Sequence, residues 1–222
     1  MLKRKEFLLI FLVVFIAACG SAPDPAEEKP EEEIAEEHTP TLQQPDKRIG
    51  PWLEYYGLSA EDFSHAETFE SGQTFSMEYQ PESPDPYQDL YIYSRDSSKF
   101  IDMDSYSMLL EKEPGGEIVF RGWNVDKEVA LIDLDAKQRK RIFFCGTPCI
   151  YEEASFWGEK VVVAGFVDDN NGYQPAIWMR EPGQTSLTIK MADLLFAPAE
   201  INYLQKIRVK NVVEIDSFAS VY

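Results

Sequence analysis

The chain has 222 residues, 44% of them apolar, and its 39 acidic against 21 basic residues give a net charge of −18. That length holds one domain of ordinary size or at most two small ones, and the apolar share is enough for a core. An acidic excess of this size repels nucleic-acid phosphates and anionic lipid surfaces, so it argues against nucleic-acid binding and against membrane recognition through a basic patch.

The first element is the run from residue 7 to residue 18, apolar throughout, behind Lys3, Arg4 and Lys5 and ahead of Cys19-Gly20. A short basic flank, an apolar core and small residues at the cut predict a signal peptide over 1–18; the run falls short of the ~20 apolar residues needed to span a bilayer. Its end, Ile16-Ala17-Ala18-Cys19, resembles the lipobox of bacterial lipoproteins. That resemblance implies cleavage before Cys19 and a diacylglycerol on its sulfur, hence export and attachment to a membrane of the cell envelope through lipid. Gly20 in the next position resembles lipoproteins sent on to an outer membrane where the cell has one, on its periplasmic or its surface side. The alternative is a signal peptide in which Cys19 is incidental. Residues 1–18 carry a net +2 from Lys3, Arg4, Lys5 and Glu6, so a mature chain of 204 residues would carry −20.

Residues 19–48 read as a lipidated cysteine followed by a tether. Pro23, Pro25, Pro30 and Pro40 are spaced by Glu27, Glu28, Glu31, Glu32, Glu33, Glu36 and Glu37, and large apolar residues are few. Such a stretch buries too little surface to offset its ordering entropy and repels itself, which predicts a disordered spacer; an acidic interaction tail is the other reading.

Composition changes near Ile49, and residues 49–222 are expected to form a single mostly-β domain. Pro51 at a first turn and Gly57 as terminator predict a short helix, with a second start at Ser59; Trp52, Leu53, Tyr56 and Phe63 would be its packing face, a helical lid on a sheet. Strands follow at 74–79, 90–93, 100–101, 107–110, 118–120, 129–134, 141–144, 160–167, 176–179 and 186–189, divided by a Pro-rich turn holding Pro81, Pro84 and Pro86 and by turns at Arg95-Asp96-Ser97-Ser98, Glu113-Pro114-Gly115-Gly116 and Asp168-Asp169-Asn170-Asn171-Gly172. A late helix is predicted over 198–206 and a last strand over 208–215. Short turns and the lack of βαβ alternation predict an antiparallel meander, not a parallel nucleotide-binding sheet.

Residues 93–100, Tyr-Ser-Arg-Asp-Ser-Ser-Lys-Phe, resemble the Ser-Pro-Asp-Gly turn of WD-repeat and TolB-like β-propeller blades, and 129–134 with Arg141-Ile142 resembles a blade's outer hairpin. Arg95 stands where Pro is usual and Ser97 where Gly is, and no clean repeat follows the ~40-residue blade period. The resemblance implies propeller-like partial blades, while the lack of a clean repeat leaves a compact two-layer β fold as the other expectation, in either case with short N-terminal and late helices.

Several clusters invite chemistry. Cys145-Gly146-Thr147-Pro148-Cys149 has one residue more between its cysteines than a thioredoxin-type site and lies at a strand end, so a structural disulfide is preferred over free thiols or a redox pair. A metal at these cysteines lacks further ligands, since the histidines are His38, in the tether, and His65; no metal and no cofactor are expected. Aligning Gly172 with the glycine of a calcium loop puts Val167 and Trp178 at ligand positions, so 168–172 reads as a hairpin turn. Hydrolase signatures are absent, and a triad would have to be built on His65. The carboxylate pairs Asp102 with Asp104, Asp133 with Asp135 and Glu152 with Glu153 have a spacing glycosidases could use, with Trp123, Trp157 or Trp178 to stack on sugar; in so acidic a chain they read first as solvated faces. Together these readings predict a lipid-anchored, extracytoplasmic binding or assembly module of the bacterial cell envelope, without catalytic activity, whose partner is an envelope protein or a glycan. The alternative is an envelope carbohydrate-active hydrolase using an Asp/Glu pair, and a third is a thiol-disulfide protein using Cys145 and Cys149.

Overall fold

The computed structural model describes residues 47–70, 74–81 and 83–213. The expected signal peptide over 1–18, the lipobox-like end with Cys19, and the expected tether as far as residue 46 lie outside them.

The domain is mainly β. Twelve strands are described: β1 (His65–Glu70), β2 (Ser76–Glu78), β3 (Ile92–Tyr93), β4 (Lys99–Asp102), β5 (Met108–Lys112), β6 (Ile118–Trp123), β7 (Lys127–Asp133), β8 (Gln138–Cys145), β9 (Cys149–Trp157), β10 (Lys160–Asp168), β11 (Tyr173–Arg180) and β12 (Ser186–Met191). All pairings are antiparallel. One five-stranded sheet has the order β1-β12-β11-β10-β9, a second β2-β8-β7-β4-β3, and β5 with β6 forms a separate hairpin. Consecutive strands β9 to β12 therefore form an up-and-down meander, and β3, β4, β7 and β8 form another that the β5–β6 hairpin interrupts. Each meander gains one outer strand, β1 on the first and β2 on the second. The two sheets pack as two layers and do not close into a barrel.

The core between the layers joins Ile101, Val129, Leu131, Ile142 and Phe143 of the second sheet to Tyr151, Val161, Val163, Ala176 and Trp178 of the first. The first sheet is buried on its other face too. There Ile150, Val162, Ala164, Phe166, Ile177 and Met179 meet α1 (Ile49–Tyr55), with Leu58, Phe63, Ile201 and Tyr203 around it. This explains why β10 reads as a continuous apolar run rather than an alternating one. The expected lid is present: Trp52, Leu53 and Phe63 are buried, and the ring of Trp52 stands 5.6 Å from that of Phe166. Gly57, at φ +66°, ends the helix in a conformation that favours glycine.

The turns follow their chemistry. Asp96 accepts hydrogen bonds from the Ser94 and Ser98 hydroxyls and from the Ser98 N–H, which holds its carboxyl down to about 2 while Ser97 takes the left-handed φ of +58°. Residues 168–172 are the expected hairpin turn, with Asn170 N–H donating to Asp168 and Asp169 N–H to Gly172 O.

Two predicted elements differ from what forms, and two strands form unpredicted. The late helix over 198–206 is a 3-10 turn, Pro198–Glu200, followed by a wide turn, Leu204–Arg208. It breaks because the N–H groups of Asn202 and Tyr203 donate to the Tyr56 hydroxyl, and that of Leu204 to Glu152, instead of to carbonyls of their own helix. No strand occupies 208–213: Arg208 ends the wide turn, and the Val212 and Val213 N–H groups both donate to Val209 O; residues 214 and 215 lie outside the described residues. Two strands, β1 and β9, form where none is predicted. β1 is exposed at every residue, and β9 carries two adjacent glutamates in its middle, so neither shows the pattern of a half-buried strand.

Candidate functional site

Two features bring chemistry-bearing residues together: a polar knot in the interior and an apolar groove at the surface.

The knot grows from an irregularity in β9. Ala164 pairs with Glu153, but Gly165 pairs with Tyr151, which leaves Glu152 as the extra residue of a bulge. Adjacent residues of a strand normally face opposite ways; the bulge turns Glu152 and Glu153 toward the same side, beneath α1. Gly165 stands opposite, where a Cβ would lie 1.8 Å from Ile150 O, so only glycine fits. Glu152 is wholly buried and accepts hydrogen bonds from Trp52 Nε1 at 3.0 Å, Tyr56 Oη at 2.7 Å and Leu204 N at 3.3 Å. Burial raises its pKa. The Tyr56 hydroxyl, which also accepts from the Asn202 and Tyr203 N–H groups, is pushed up by burial and by the Glu152 charge. Glu153 accepts from the Tyr203 hydroxyl at 3.2 Å and lies 3.7 Å from Arg208 Nε. Arg208, itself buried, forks onto both carboxylate oxygens of Asp104, with Nη1 at 2.7 Å from Oδ1.

These contacts correct the reading of the carboxylate pairs as solvated faces. Asp102, Asp104, Glu152 and Glu153 are all buried, because each fastens backbone or charge that folding has already taken from water. Asp102 accepts the N–H groups of Asp104 and Ser105, pinning the turn after β4, and Arg139 approaches it at 3.6 Å. Asp133 and Asp135 conform better to the surface reading: the first is half-buried near Lys99, the second exposed. None of the six carboxylates lines the groove described below. His65 is exposed and hydrogen-bonds Glu67 at 3.0 Å. Among the described residues, no group of three His, Cys, Asp or Glu is arranged to hold a metal.

The groove lies where the outer strands of the two sheets diverge. Cys145 and Cys149 are joined by the expected disulfide, with Cα atoms 5.8 Å apart, closing the loop by which the chain passes from β8 to β9 and so from one sheet to the other. Beside it opens a concavity of about 380 Å³ lined by Phe69, Thr74, Phe75, Arg141, Ile142, Phe143, Phe144, Tyr151, Trp178, Arg180, Leu187 and Ile189 together with the two cysteines. The floor is aromatic, with Tyr151 and Trp178 edge to face at 5.0 Å. On the rim, Phe69, Phe75 and Phe144 keep 42%, 57% and 48% of their surface exposed.

Two arginines and no acid line this groove. Arg141 Cζ lies 5.7 Å from the Phe75 ring and 4.7 Å from that of Phe144, so its guanidinium is held between two aromatic groups. Its Nε donates to the buried Glu128 at 2.5 Å. Arg180 donates Nη1 to Ile142 O at 3.0 Å and Nε to Gln184 O at 3.1 Å. Sequence reasoning finds the cysteines and Trp178 but not Phe69, Phe75, Phe144, Arg141 or Arg180 as one site. The triplet Arg139-Lys140-Arg141 in an acidic chain is the one signal that pointed there.

Comparison with protein families, with curated proteins and with solved structures finds no match for this chain.

Proposed function

We propose that this protein is a lipid-anchored binding module of the bacterial cell envelope, attached to a membrane through Cys19 and working by holding a partner rather than by catalysis. The observation that carries the reading is the division of labour among its polar and apolar groups. Two of the three carboxylate pairs that could have served a hydrolase, Asp102 with Asp104 and Glu152 with Glu153, are engaged in internal ion pairs and hydrogen bonds, whereas aromatic side chains are left in water around one concave surface. Clustered exposed aromatics beside a formed groove are the usual mark of an interaction site. The signal-peptide pattern over 1–18, the lipobox resemblance and the acidic tether supply the membrane end: lipid fixes the chain, and charged, proline-rich residues give it reach.

Cell fractionation with Cys19→Ala tests the anchor. Wild-type protein is expected in the membrane fraction and the variant as soluble or uncleaved product; mature, membrane-bound Cys19→Ala protein would refute lipid attachment.

A further inference from the structure

We infer that a second concavity, where the β3–β4, β9–β10 and β11–β12 turns meet at one end of the two layers, binds a short peptide carrying both a free amino and a free carboxyl terminus. This goes beyond the binding-module reading. Among the described residues the concavity shares no lining residue with the groove beside the disulfide, so its failure would leave that reading standing. Three observations carry it. First, the cavity is roomy and its frame is fixed. It measures about 880 Å³, within the range of small-ligand sites, and three tight turns form its rim. In the first, the Ser97 N–H donates to Ser94 O at 2.9 Å. In the second, Gly158 at φ +57° lets Trp157 and Lys160 pair across a two-residue loop. In the third, the Gln184 N–H donates to Glu181 O at 3.0 Å, with Pro182 and Gly183 (φ +102°) where a type II turn favours them.

Second, the rim charges are divided by sign between the layers. Arg95 and Lys99 come from the second sheet, Glu159 and Glu181 from the two turns of the first. Among the described residues the side chains of Arg95, Glu159 and Glu181 make no hydrogen bond or ion pair, and the Lys99 ammonium has Asp133 at 3.9 Å. Asp96, the acid beside Arg95, is taken up by Ser94 and Ser98. Opposite charges that line one cavity without pairing suit a ligand with an anionic and a cationic end: the guanidinium takes a carboxylate in a forked pair, and the two glutamates take an ammonium. Third, the floor between them is apolar, made by the buried Leu131 and the half-buried Phe156. An apolar peptide side chain covers that floor, which a phospholipid headgroup would leave bare. A compact cavity of this volume is on the order of 10 Å across and an extended chain covers ~3.3–3.6 Å per residue, so about three residues bridge the two walls.

The probe is a soluble library of tripeptides with free termini, selected against the intact chain in detergent and read by mass spectrometry. Enriched peptides are then titrated singly by calorimetry in four forms: uncapped, N-acetylated, C-amidated and capped at both ends. The expected result is enrichment of tripeptides with an aromatic or aliphatic residue, each cap weakening binding about tenfold, the scale of one lost charge-assisted pair. Arg95→Gln should weaken the uncapped peptide to the same degree and make C-amidation neutral. Glu159→Gln combined with Glu181→Gln should do the same for N-acetylation. The urea midpoints of these variants should match wild type, since the replaced side chains hold nothing else among the described residues. No enrichment, caps without effect, or a C-amidation loss that persists in Arg95→Gln would overturn the inference. So would saturable binding of glycerophosphoethanolamine with no tripeptide selected, which would make this a headgroup site.

Discussion

Glu152 is the residue on which the lid, the first sheet and the segment after Ile201 converge, and its replacement is the sharpest test of how this fold is held. Glu152→Ala removes the acceptor of three donors, Trp52 Nε1, Tyr56 Oη and Leu204 N. A buried donor left without a partner costs about 1–3 kcal/mol. Tyr56 is only part-buried and can turn to water, while losing an interior charge returns some desolvation energy, so the net expectation is about 2–4 kcal/mol. Glu152→Gln keeps one carbonyl oxygen but sets an N–H₂ among donors, for about 1–2 kcal/mol. Urea unfolding, with m-values near 1–3 kcal/mol/M, would read the alanine variant as a midpoint lowered by about 1–2 M. The pH dependence adds a second handle. Burial raises the folded-state pKa of Glu152 above the ordinary 4.5, so the folded chain holds this proton to higher pH than the unfolded chain does. The stability linked to it is complete below 4.5 and is lost as pH rises through the folded value. The deficit of Glu152→Gln against wild type is therefore largest at acid pH and shrinks as pH rises through that window. A Glu152→Ala protein within about 0.5 kcal/mol of wild type, or a deficit that grows with pH, would refute this account of the knot.

Other expectations follow from single contacts. Gly165→Ala would press a methyl onto Ile150 O at the β9 bulge and should cost at least ~3 kcal/mol or prevent folding, read by the same titration; a near-neutral result would mean the bulge is not rigid. The Gln205 side chain is buried with neither polar atom hydrogen-bonded among the described residues, so Gln205→Leu should stabilise by about 1 kcal/mol, visible as a higher urea midpoint. Opening the Cys145–Cys149 loop with Cys145→Ser should destabilise by about 2 kcal/mol on the loop-entropy scale, while leaving the far-ultraviolet circular dichroism of a β protein unchanged.

The mainly-β architecture was legible because most strands carry local signals. β7, β8, β10 and β11 are β-branched or aromatic runs bounded by turns rich in Gly, Asp and Asn, and the 95–98 and 168–172 turns take the backbone shapes those residues favour. What stayed hidden depended on partners far away in sequence. β1 is a strand only because β12 pairs with it, since its own residues are polar and exposed on both faces. The segment from Ile201 looks helical by spacing, yet Tyr56 and Glu152, about 50 to 150 residues earlier in the chain, take its N–H groups. Composition placed the carboxylate pairs in water because it carries no record of Arg208 and Tyr203 arriving beside them. The disulfide was within reach, being local, whereas the groove was not: it is assembled from β1, β8, β9, β11 and β12 and from the residues just before β2.

Site-specific photocrosslinking in intact cells tests the central claim most directly. A benzoyl-phenylalanine placed at Phe144, on the groove rim, is compared with one at Leu109, which is 54% exposed and outside the groove lining. An envelope binding module predicts a discrete crosslinked partner from position 144, in the membrane fraction, and none from position 109. Identical patterns from both positions, or no adduct from position 144 in anchored protein, would contradict it.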